Sequence, residues 1–152
     1  EYGAYALVLI FGNFFSSITT FGLSVSYEKL FFELEKSKKT ILLHLIILFC
    51  FLLFILFFFP IFFFGNIIIN YFEVSNVTNH LLYTSYVSST LISYTNFFLL
   101  KHRNEKSAKK YTLLSLFLII SQLLVSIILI IYFGYRIEGF LYSSILVNFL
   151  VF

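Results

Sequence analysis

The side chains of this chain with chemistry to offer are hydroxyls and amides, set at helical spacing inside stretches that carry no charge. Asn13, Ser17, Thr20 and Ser24 follow at intervals of four, three and four, which places them on one face of a helix. Ser85, Ser89, Ser93 and Asn96 repeat the pattern in a segment that also holds Thr84, Ser88, Thr90 and Thr95. Val87, Leu91 and Phe98 are left for its other side. A sparser row, Ser115, Gln122 and Ser126, follows later. Uncharged groups of this kind have two uses inside a bilayer. They hydrogen-bond one helix to another, each bond contributing about 0.6–2 kcal/mol, or they line a hydrated cavity that holds a polar solute.

Other chemistry has little to work with. No Asp, Glu, Lys or Arg falls within any of the apolar segments, so none offers an intramembrane carboxylate for ion coupling or a buried cation for a phosphate. There is no glycine-rich phosphate loop, no cluster of metal ligands and no nucleophile beside a base. The residues therefore point away from an enzyme and require no cofactor. His44, one turn inside an apolar segment, can reach a backbone carbonyl or the interface, and His80 and His102 stand at segment ends, where solvent is expected. The single cysteine, Cys50, lies mid-segment and reads as a small packing residue.

The elements that position these groups follow from composition. Hydrophobic residues make up 61% of the 152 residues and charged residues 11%, with a mean hydropathy of +1.00, against about 25% charged residues in soluble domains. At roughly 20 apolar residues per crossing, the chain reads as an all-α, polytopic transmembrane bundle with helices at about 4–26, 41–64, 81–100, 112–133 and 140–152. The last of these is cut short at Phe152. With no methionine and Glu1 just ahead of an apolar run, the sequence reads as an interior piece of a longer protein, an incomplete transmembrane lobe. Pro60 is expected to kink or end the second helix. Glu28–Thr40 is expected to hold a short interfacial helix, and 65–80 an outer loop with Glu73 and a weak glycosylation motif at Asn76.

Charge sets the orientation. Four of the ten basic residues lie between the first two segments, and five, Lys101, Arg103, Lys106, Lys109 and Lys110, between the third and fourth. Arg136 alone falls on the other side. Basic loops face the cytoplasm, so Glu1 is placed outside and the first segment runs inward. The net charge of +3 is thus a matter of topology and anionic headgroups, and nucleic acid is not an expected partner.

Several local patterns, in order, resemble a known family. Glu1-Tyr2-Gly3-Ala4-Tyr5-Ala6-Leu7 resembles the opening of the second helix in the polysaccharide-exporter branch of the multidrug/oligosaccharidyl-lipid/polysaccharide superfamily, which includes O-antigen flippases. Thr20-Phe21-Gly22-Leu23-Ser24 resembles the close of that helix. The run from Leu99 to Tyr111 resembles the family's basic loop, and Arg136-Ile137-Glu138-Gly139 the turn before its sixth helix.

The resemblance implies part of a MATE-like, two-lobe transporter in the bacterial cytoplasmic (inner) membrane. It also implies alternating access to an undecaprenyl-pyrophosphate-linked oligosaccharide, whose sugar hydroxyls would meet the Ser, Thr and Asn rows. Membrane lipids, the polyprenyl-linked substrate and other polysaccharide assembly proteins are the implied partners. Related flippases place arginines in the cavity for the pyrophosphate, and these segments have none. The alternatives are a MATE-like drug or metabolite antiporter, which calls for an acidic residue in a neighbouring span, and a membrane polymerase or transferase, which calls for a large outer loop.

Overall fold

A computed structural model describes residues 2–71 and 77–151. Every regular element among them is an α-helix, and six follow in chain order: α1 (Tyr2–Thr20), α2 (Leu23–Glu33), α3 (Lys36–Tyr71), α4 (Asn79–Asn104), α5 (Ala108–Ile131) and α6 (Ile137–Val151).

Among the described residues three stretches are long and apolar enough to cross a membrane: Tyr5–Glu33, Lys38–Ile67 and Ala108–Ile131. Two of the five expected crossings fall outside that group. The helix at 81–100 is present as α4, but its many hydroxyls dilute the apolar content. The segment expected at 140–152 forms a short apolar helix, Glu138–Val151.

The first crossing is not one straight helix. It breaks at Phe21 and Gly22, whose φ angles of 48° and 66° lie in the left-handed region, and resumes as α2. Gly22 takes that conformation at no steric cost, whereas Phe21 carries a Cβ that opposes it. The segment Glu28–Thr40, expected to hold a short interfacial helix, is divided between two helices: α2 runs to Glu33, and α3 starts at Lys36 after a two-residue turn.

Pro60 does not end its helix. α3 runs through it for 36 residues, about 54 Å at 1.5 Å per residue, well beyond a hydrocarbon core of about 30 Å. Neighbouring helices tolerate the lost donor in such settings. Residues 65–71, expected in a loop, belong to this overlong helix, while Glu73 and Asn76 lie outside the described residues.

α4 is the axis of the fold and touches every other helix. Its two ends are plugged by apolar clusters. Tyr27, Phe31, Leu43, Ile46 and Cys50 pack on Tyr94 and Phe97 at the basic end, and Val8 and Leu141 pack on Leu82 at the other. Between the plugs lies a belt of hydroxyls. α3 and α5 turn most of their apolar surface outward, with Phe49, Phe51, Leu52, Leu116, Ile120 and Leu124 among the exposed side chains. That is the side lipid or further helices would cover, because lipid tails are as apolar as these side chains.

Candidate functional site

The α1–α4 contact is built from small residues. A Cβ placed on Gly12 would lie 2.7 Å from the Ser85 carbonyl oxygen, so the two backbones meet as closely as only glycine allows. One turn on, Ser16 Oγ donates to the Ser89 carbonyl at 3.0 Å and lies 2.8 Å from Ser93 Oγ. Thr19 Oγ1 is 2.8 Å from the buried Tyr86 hydroxyl, which also donates to the Phe54 carbonyl of α3 at 3.3 Å. One belt of hydroxyls thereby ties three helices.

Most α4 hydroxyls are also satisfied by their own helix. Thr84 donates to the His80 carbonyl, Ser85 to Leu82, Thr90 to Tyr86 and Thr95 to Leu91, at 2.6–3.0 Å. Back-bonding of this kind pairs a polar side chain without water, which a bilayer interior demands.

The two predicted rows meet only at one end. Thr20 and Ser24 from the first chain segment and Ser93 and Asn96 from α4 line a common cleft of ≈ 110 Å³, completed by Phe97 and Leu100. A cleft of this size has room for a few waters. Asn13 and Ser17 extend the same row along α1 on exposed positions, where Ser17 Oγ donates to the Asn13 carbonyl at 2.7 Å. Ser85 and Ser89 are buried in the seam. Gln122 is half-buried on α5 and does not line the cleft.

The row that actually packs against α4 is Gly12, Ser16 and Thr19, rotated by one residue from the predicted one. Its signal is present in the sequence as small residues spaced four and three apart. A second seam joins α5 to α6, and only its α5 member, Ser126, belongs to a row expected from the sequence. Ser126 Oγ of α5 lies 2.6 Å from Ser143 Oγ of α6, and Ser144 and Asn148 are buried beside it.

The histidines have local roles. Nδ1 of His44 lies 2.7 Å from the Thr40 carbonyl, as its position predicts. His80 is not simply solvated: its Nε2 is 3.1 Å from the Tyr142 hydroxyl, because α6 folds back onto the start of α4. His102 is half-buried, 3.6 Å from the Glu105 carboxylate.

The basic loop is held to α2. Arg103 pairs with Glu28, and Lys101 and Arg103 fall in the last turn of α4, where cations complement the helix dipole. Lys106 adopts a left-handed φ of 55° at the turn, and Lys109 and Lys110 open α5. Among the described residues no group of three or more His, Cys, Asp or Glu is arranged to hold a metal ion. No protein-family profile, curated protein or solved structure matches the chain.

Proposed function

We propose that the chain is part of one lobe of a membrane transporter for lipid-linked oligosaccharides, a flippase of alternating-access type in the bacterial inner membrane. The observation that carries this reading is the convergence of Thr20, Ser24, Ser93 and Asn96 on one cleft, with Asn13 and Ser17 continuing the row on exposed positions. Exposed amides and hydroxyls on an otherwise apolar helix are poorly matched to lipid tails and well matched to a hydroxylated solute. The apolar faces of α3 and α5 suit the lipid tail of such a substrate. The order of local patterns that resembles the polysaccharide-exporter branch supports the same substrate class.

The cleft is a wall segment rather than a whole binding cavity, since ≈ 110 Å³ is below the roughly 300–1,000 Å³ of small-molecule sites. The rest of the cavity would come from further helices of a two-lobe protein. The lining is uncharged, so the cations that would meet a pyrophosphate, like the carboxylate an acid-coupled antiporter would need, belong to those further helices.

The test is transfer of an undecaprenyl-linked oligosaccharide across proteoliposomes that contain the full protein. Combined Thr20→Val, Ser24→Ala, Ser93→Ala and Asn96→Leu substitutions should abolish transfer while folding persists. Undiminished transfer by that variant would leave the row as a packing edge and end the proposal.

A further inference from the structure

A second, larger cavity opens at the basic end of the bundle, distinct from the hydroxyl cleft. It measures ≈ 590 Å³ and is lined by Phe31 of α2, Lys39 and Thr40 of α3, and Asn104, Glu105, Ser107 and Lys110 around the α4–α5 turn. That volume falls within the roughly 300–1,000 Å³ of small-molecule sites.

Its electrostatics run against ordinary helix construction. Acidic residues are favoured in the first turn of a helix, where the dipole end is positive. Neither α3 nor α5 has one there. Lys39 and Lys110 instead stand on the opening turns of these helices and line the cavity, so side-chain charge and helix dipoles add with the same sign. Ser107, the residue before α5, makes no side-chain cap, because its hydroxyl donates to the His102 carbonyl at 2.9 Å.

The other lining groups are consistent with an anion. The Lys39 ammonium is placed 4.3 Å above the centre of the Phe31 ring, which holds it at the cavity wall. Asn104 lines the cavity through its other atoms, while its Nδ2 is buried beneath the surface and finds no acceptor among the described residues. Glu105, the one carboxylate in the lining, is 3.6 Å from His102, and Glu35 is drawn to Lys38 at 3.2 Å. No carboxylate among the described residues pairs with Lys39 or Lys110.

We infer that this cavity binds a phosphate group, held by Lys39 and Lys110, and supplied by the headgroup of an anionic lipid or by free phosphate. The site does not depend on the transport reading. Positive-inside topology alone requires only that the two loops be basic, and is indifferent to which lysines remain. A phosphate site depends on Lys39 and Lys110 in particular.

The test uses the full chain in nanodiscs of phosphatidylcholine doped with phosphatidic acid, with retained phosphatidic acid counted by native mass spectrometry. Lys39→Gln/Lys110→Gln should lower retention roughly 30-fold, about five- to sixfold per lysine. Lys29→Gln/Lys106→Gln removes one lysine from each of the same two loops but none from the cavity, and should leave retention unchanged. Glu105→Gln should tighten it. A parallel arm reads hydrogen exchange at the first turns of α3 and α5 with inorganic phosphate. Protection by inorganic phosphate, lost in Lys39→Gln/Lys110→Gln, without lipid retention would assign the site to free phosphate. Equal losses in the two double variants, or retention and protection in neither arm, would overturn the site.

Discussion

Glu28 and Arg103 form an ion pair that joins α2 to the last turn of α4. Glu28 lies one turn beyond Ser24, and Arg103 two turns beyond Asn96, so the pair stands at the basic end of the hydroxyl cleft. The side chains are 34% and 55% exposed, so solvent screens much of the attraction.

Neutralising either partner should therefore change thermal stability by less than about 1 kcal/mol yet loosen α2 from α4. The measurement is thiol labelling of a cysteine at Ser24 in a Cys50-free background. Glu28→Gln and Arg103→Gln should each speed it, and the swap Glu28→Arg/Arg103→Glu should return it to the starting rate. No change on neutralisation would mean that the pair does not hold α2.

Gly12→Ala should lower the melting temperature in detergent, corresponding to about 1–3 kcal/mol of overpacking, because the added methyl meets the Ser85 backbone at 2.7 Å. Gly3→Ala, with nothing within 4 Å of the new Cβ, should be neutral or slightly stabilising. Equal effects at the two positions would contradict the close α1–α4 approach.

Cysteines placed singly along α4 should divide by position rather than by face alone. An impermeant thiol reagent should label Ser93→Cys and Asn96→Cys, which line the cleft, and leave Ser85→Cys and Ser89→Cys unreacted in the seam. Labelling of all four would mean water reaches the full length of the α1–α4 contact. Labelling of none would make the cleft dry.

Phe21→Gly should raise stability by about 1–2 kcal/mol, since an L-residue with a Cβ is held at φ 48° where glycine carries no such penalty. The gain is read as a melting-temperature shift against Phe14→Gly, a mid-helix control that should lose stability. A loss at Phe21 of the same size as at Phe14 would contradict the left-handed backbone.

The helical class and the uncharged polar rows are legible in the sequence because they depend on composition and period. Residue-level facing is not. Asn13–Ser17 and Ser16–Thr19 are neighbouring rows on one helix, each polar, and only the partner decides which of them packs. Here Gly12 settles it, since the closest approach is possible only where a side chain is missing. Helix ends are not legible where tertiary contact overrides local signals. Pro60 reads as a kink or a stop from its missing donor, and α3 continues past it, with Ile61 buried and the Asn79 amide donating to the Phe62 carbonyl at 3.2 Å. The Phe21–Gly22 break was hidden by unbroken hydropathy on both sides, which carries no information on φ. The cavity at the basic end depends on the α2–α3 junction meeting the α4–α5 turn from much further along the chain, a juxtaposition no local pattern encodes.

The break at Phe21 and Gly22 also divides the cleft. Thr20 ends the helix that is fastened to α4 through Ser16 and Thr19, while Ser24 lies in the first turn of α2, which carries Glu28 and Phe31. The two hydroxyls therefore belong to separate helices, and because Ser24 lies only two residues beyond Gly22, a change of angle at the break would carry the Glu33 end of α2 much further than the cleft itself.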